Sequence, residues 1–82
     1  MLSEIKNADI HIGVKQSKKA LEEGRVSKAI VAEDADPHVT EPFAAACEKK
    51  GVEVCYTPSM EKLGHAAGID VGAAIVVLLK QA

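Results

Sequence analysis

Behind Gly13 the chain sets Lys15, Gln16, Lys18 and Lys19 within five consecutive positions. Wound as a helix, Lys15 and Lys19 stand four apart on one face, with Gln16 beside them and Lys18 flanking the patch. Val14, Ser17 and Leu21 then form the inward stripe. Lysine and glutamine donate hydrogen bonds, and the backbone dipole at a helix start favours anionic acceptors. The chemistry that fits is recognition rather than bond breaking: phosphate oxygens, or the O6 and N7 of guanine, accept from such a patch. The competing reading is an ordinary solvated, lysine-rich helix face.

Other reactive residue types form no comparable set. Glu33, Asp34 and Asp36 crowd one loop after an apolar run. No candidate nucleophile or base pairs with them in sequence, and the G-x-S-x-G, Walker and G-x-G-x-x-G patterns are absent. A solvated acidic loop is expected, and no enzymatic activity. His11, His38 and His65 are scattered singly, and Cys47 and Cys55 belong to no C-x-x-C pair. No metal site and no cofactor are therefore expected, and both cysteines are read as reduced, buried thiols.

A second segment, Leu63-Gly64-His65-Ala66-Ala67-Gly68-Ile69-Asp70-Val71-Gly72-Ala73-Ala74, is rich in glycine. Glycine permits tight turns and close backbone approach. The segment leaves Ile69 and Val71 in a loop, where two fates are open to them: plugging the core or packing on an exposed base.

Periodicity supplies the elements that must position these groups. Ser3 can cap a short opening helix to about Asn7, and Ile10 and Ile12 alternate with polar residues as in a strand. A helix follows from Gly13 to about Glu23, closed by Gly24. Ala29-Ile30-Val31-Ala32 reads as a buried strand, Glu33 to Pro37 as a loop whose Pro37 is placed to start the next helix, and about Val39 to Lys50 as that helix, ending at Gly51. Val52, Val54 and Tyr56 alternate as a third strand. Ser59 caps a helix from Met60 to about Ala67, stopped by Gly68, and Ala73 to Leu79 reads as a strand buried on both faces. The order α-β-α-β-α-β-α-β predicts an α/β fold, with a central sheet between helices.

At 82 residues the chain has room for one domain. It carries one Phe, one Tyr and no Trp, too few rings for a base-stacking platform. The net charge of −2 is unevenly spread. Residues 1–28 carry six Lys/Arg against four Asp/Glu, and residues 29–58 carry two against six. A local basic face is compatible with that distribution, whereas indiscriminate nucleic-acid binding is not. Met1 to Ile10 lacks the features of a signal peptide, and the longest apolar stretch, Val71 to Leu79, is far short of the ~20 residues of a membrane span. A cytoplasmic protein with no membrane partner is expected.

Three segments, GVKQSKKALEEG, IVAEDADP and KLGHAAGIDVGAA, make the chain resemble the L7Ae/L30e ribosomal-protein family. Within it they resemble the small bacterial kink-turn-binding members of YbxF type. The resemblance covers almost the whole chain. It implies a three-layer α/β/α sandwich with a central mixed four-stranded sheet, and a single RNA-binding domain over residues 1–82. In that family a G-x-N-E-x-x-K helix start grips the tandem sheared G·A pairs of a kink-turn. By position those contacts fall on Gly13, Lys15, Gln16 and Lys19, with Lys18 beside them. The acid used near an extruded base matches Asp36, and the apolar loop over bulged nucleotides matches Ile69, Asp70 and Val71. Lys15-Gln16 stands where archaeal and eukaryotic members have Asn-Glu, which raises the local charge by two. Some relatives carry a basic residue where this chain has Met60 or Val71.

The resemblance thus implies a non-enzymatic protein recognising kink-turns in ribosomal RNA or riboswitches, in association with the ribosome or apart from it. A monomer is expected, because the RNA face must stay open. The alternative is a ribosome-associated structural or protein–protein interaction module with little affinity for free RNA, using the Ala44-Ala45-Ala46 helix and the acidic middle third.

Overall fold

The computed structural model describes Ile5 and residues 9–80. Apart from Ile5, the opening helix expected from Ser3 to Asn7 lies outside the described residues. The remaining elements alternate as β1 (Ile10–Ile12), α1 (Val14–Glu22), β2 (Val26–Ala32), α2 (Pro37–Lys49), β3 (Glu53–Thr57), α3 (Met60–Ala66) and β4 (Ile75–Leu79). They build one four-stranded sheet in the order β1-β4-β2-β3. Its pairing is mixed: β2 and β3 are parallel, while β4 runs antiparallel to both β1 and β2.

Period-two alternation along the inner strands distributes their side chains between two cores. On one face Val26, Ala29, Val31, Ile75 and Val77 meet Ala20 and Leu21 of α1 and Phe43 and Cys47 of α2. On the other, Ile30, Ala32, Val76 and Leu78 meet Leu63 of α3, together with Ile5. The result is the expected three-layer α/β/α sandwich. Each fully buried branched side chain contributes about 1.5–3 kcal/mol through removal of its apolar surface from water.

Several boundaries differ from the sequence reading. β2 begins at Val26, three residues before the apolar run that marks it. Ser27 and Lys28 disguise its start, and the β2–β4 register shifts between Val26 and Lys28. The Ser27 hydroxyl donates to the Leu78 carbonyl at 3.1 Å there, so a polar side chain serves the irregular ladder. Conversely, β3 starts at Glu53 rather than Val52, and β4 at Ile75 rather than Ala73. Val52 is taken by the end of α2, where its N–H donates to the Cys47 carbonyl at 2.9 Å. Pro37 opens α2 at its first turn, two residues before the expected Val39. α3 ends at Ala66, one residue early.

The inward stripe of α1 is Ser17, Ala20 and Leu21, all buried. Val14, expected among them, is 37 % exposed. It lies beside Lys18 in a groove against His38, Val39 and Phe43 of α2. Cys47 and Cys55 form no disulfide: Cys47 is fully buried, and its burial raises the thiol pKa above the ordinary 9.0, while Cys55 is only half-buried. Of the three alanines expected on the α2 surface, Ala45 is exposed and Ala44 and Ala46 are half-buried.

Because β1, β2 and β3 share a direction, their C-terminal ends lie together, beside the N-terminal end of the antiparallel β4. The start of α1, the 33–36 loop, the start of α3 and the 67–74 segment therefore gather at one end of the sheet. Open α/β sheets commonly bind ligands at such an end.

Candidate nucleic-acid interface

The first of these segments starts at Gly13, whose φ of 97° and ψ of 161° belong to a region open essentially to glycine alone. Its N–H donates to the Ile75 carbonyl at 2.9 Å, which pins the start of α1 to the start of β4. The first bond within α1 runs from the Ser17 N–H to the Gly13 carbonyl at 3.1 Å. The amides of Val14, Lys15 and Gln16 precede it, and no side chain caps them. No acid stands in this first turn. Lys15, Gln16, Lys18 and Lys19 are all exposed, and among the described residues none of the lysines meets a carboxylate within ion-pair distance. Donors and positive charge thus converge here, and no carboxylate of the described residues neutralises them.

The second segment is anchored by α3. Ser59 Oγ accepts from the Lys62 N–H at 3.1 Å, as its sequence position predicts. Asp34 Oδ1 accepts from the Met60 N–H at 2.7 Å. This contact was invisible in the sequence, where Asp34 read as one more solvated loop acid, because its partner lies 26 residues on. The helix ends in a Schellman motif: the Gly68 N–H donates to His65 and the Ile69 N–H to Gly64, at 3.1 and 3.0 Å. An apolar residue just past such an end packs back on its helix, and Ile69 is half-buried against the α3-side core. Val71 is 69 % exposed, and Asp70 is exposed beside it. The structure therefore divides the apolar pair, one residue holding the loop and the other presented by it.

Gly64 fixes the loop's path. A Cβ there would collide with the Val71 carbonyl oxygen, which lies directly over the helix. Gly72 passes close over Met60, and the Ala73 N–H donates to the Met60 carbonyl at 3.0 Å. The Ala32 N–H then bonds the Ala74 carbonyl at 2.9 Å, which ties this loop to the end of β2.

Asp36 stands at the N-cap of α2, where its Oδ1 accepts from the His38 N–H at 2.9 Å and lies 3.1 Å from His38 Nδ1. It is exposed and at the same end of the sheet as Gly13, but one of its oxygens is engaged in capping. Asp36→Ala is expected to lower stability by about 1 kcal/mol in urea unfolding, with Asp36→Asn close to the native chain, since asparagine also caps. Of the histidines, His38 and His65 are exposed, while half-buried His11 has its Nε2 3.4 Å from the Arg25 guanidinium. No group of three or more His, Cys, Asp or Glu among the described residues could hold a metal ion. No helix among them is long and apolar enough to cross a membrane.

Residues 3–82 match the sequence pattern of the ribosomal protein L7Ae/L30e/S12e/Gadd45 family. The chain belongs to this family. Among its relatives, an RNA-binding protein of Halalkalibacterium halodurans is 47 % identical over 72 residues, 88 % of each chain. The RNA-binding protein YbxF of Geobacillus stearothermophilus is 48 % identical over 71 residues, 87 % of each. In three dimensions the chain is similar to the 15.5kD RNA binding protein of Giardia lamblia, with a TM-score of 0.83 and 30 % identity. That match takes in 92 % of this chain, which spans 62 % of the Giardia protein. The three segments quoted above from sequence meet at the C-terminal ends of β1 and β2 and the start of β4.

Proposed function

We propose that this member of the L7Ae/L30e/S12e/Gadd45 family binds RNA, and that its target is a kink-turn. The observation that carries the reading is the bond from the Gly13 N–H to the Ile75 carbonyl. It sets an uncapped, lysine-bearing helix start beside the loop that presents Val71. A regular A-form helix hides its base edges in a deep, narrow major groove that side chains cannot read. A sharp kink opens those edges. A small donor patch on Lys15, Gln16 and Lys19 then suffices for the sheared G·A pairs, with Lys18 reaching a flanking phosphate. Val71 and Asp70 meet the bulged nucleotides, Ile69 supports them from beneath, and Asp36 lies toward the extruded base. Part of the selectivity comes from how readily an RNA bends. The protein acts as a monomer and without catalysis, in ribosomal RNA or riboswitches.

Gel shifts with a kink-turn RNA, the same RNA with its G·A pairs replaced by G·C, and a straight duplex test this at one fixed salt concentration. The kink-turn should bind at least about 100-fold more tightly, a preference of ~2.7 kcal/mol. Equal affinity for all three rejects kink-turn recognition. Failure to bind any of them, with a protein partner retained after nuclease treatment, supports the interaction-module alternative.

A further inference from the structure

A second surface has the opposite electrostatic character. Between α2 and the edge strand β3 runs a groove of about 510 Å³, which begins near the 33–36 loop and follows the helix toward its C-terminal end. Tyr56, 52 % exposed, forms its wall on the strand side, and exposed Ala45 faces it from α2. Glu33, Glu41 and Glu48 also line it, all exposed, and no Lys, Arg or His is among the described residues that do. None of the three carboxylates meets a cation within ion-pair distance among the described residues. RNA is repelled by such a surface, so its occupant is of another kind.

We propose that this groove docks an extended, Lys/Arg-bearing segment of a partner protein, laid alongside β3. Three features carry it together. The carboxylates supply charge complementarity along a line: Glu41 and Glu48 lie two helical turns apart, about 10 Å. Alternate residues of an extended strand recur on one face about every 6.6 Å, so cations two and four residues apart, about 6.6 and 13 Å, bracket that spacing. Tyr56 offers an aromatic face for the aliphatic stem or the charged head of one of them. Finally, β3 is the terminal strand beside β2, the position where strand addition extends a sheet. This inference does not rest on RNA binding, and it uses none of the side chains assigned to the RNA face.

The test is a titration of the 15N-labelled chain with the peptide acetyl-Gly-Lys-Thr-Arg-Thr-Lys-Gly-amide and with its counterpart carrying Glu at the three cationic positions. Amide shifts are expected at Ala45, Tyr56 and their neighbours with the cationic peptide, weakening at least tenfold between 50 and 500 mM salt. The variant Glu41→Lys/Glu48→Lys should bind at least tenfold more weakly. Both sites are exposed, and a dispersed amide spectrum verifies its fold. Tyr56→Ala, with the acids intact, should also weaken binding. Equal binding of the acidic peptide, shifts confined to other surfaces, or equal binding by the charge-reversed variant would overturn the proposal. So would concentration-dependent dimerisation of the chain that masks Ala45 and Tyr56, because a second copy would then be the occupant.

Discussion

Replacing Gly64 with alanine is expected to cost the chain about 1–3 kcal/mol of stability, the range for forcing an added methyl into a packed site. It should also weaken kink-turn binding at least tenfold. The added methyl would enter the space of the Val71 carbonyl oxygen, which is backbone rather than the end of a flexible side chain. Relief requires the 69–72 segment to lift from α3. That movement strains the bond from the Ala73 N–H to the Met60 carbonyl and the Schellman bond from Ile69 to Gly64 itself. The Gly13–Ile75 bond and the exposed lysines lie outside the displaced segment, so the donor patch should survive. The separating measurement is a comparison of kink-turn RNAs with and without the bulged nucleotides. If the loop reads the bulge, the variant loses most affinity on the bulged RNA and little on the other. A variant as stable as the native chain, with unaltered affinity for the bulged RNA, refutes both the packing argument and the loop's role.

How much of this was legible in the sequence depended on whether the deciding interaction was local. The helix ends were legible because each is governed by a few adjacent residues: Gly24, Gly51 and Gly68 all follow their helices at positive φ. The Ser59 cap and the proline start of α2 belong to the same class. β4 was legible because five apolar residues in sequence fit only a site covered on both faces. The start of β2 was not, because the consecutive polar residues Ser27 and Lys28 break the alternation after Val26 at an irregular point of the ladder, and nothing local announces that Val26 pairs with Leu79. Within the candidate site, the lysine patch follows from helical spacing alone. The division between Ile69 and Val71 needed the geometry of the α3 end, and the tethers from Asp34 to Met60 and from Gly13 to Ile75 span 26 and 62 residues. Contacts over such separations leave no pattern in a single sequence.

Lys15→Glu is the substitution expected to damage recognition most while leaving the fold intact. Lys15 is exposed in the first turn of α1, so truncation creates no cavity, and an acid near a helix N-terminus is favourable for the helix itself. Stability should therefore be unchanged or slightly higher. Against RNA the same change removes a donor, places a carboxylate before acceptor atoms and alters the local charge by two. Lys15→Ala or Lys19→Ala is expected to weaken kink-turn binding by about 1–3 kcal/mol if the ammonium reaches a base edge. The reversal should exceed the upper part of that range, a loss of about 100-fold or more. Lys49→Glu provides the control, because it makes the same charge change in the last turn of α2, at the opposite end of the sheet from Gly13. It should cost less than about threefold, as expected of screened charges beyond a Debye length. The salt dependence then identifies the contact. A phosphate partner lowers the slope of log K against log salt by about one in Lys15→Ala and weakens all RNAs alike, whereas a base-edge partner leaves the slope and erodes the preference for G·A pairs. Binding by Lys15→Glu within threefold of the native chain would remove Lys15 from the interface, and with it the assignment of the α1 start as the surface that reads the kink.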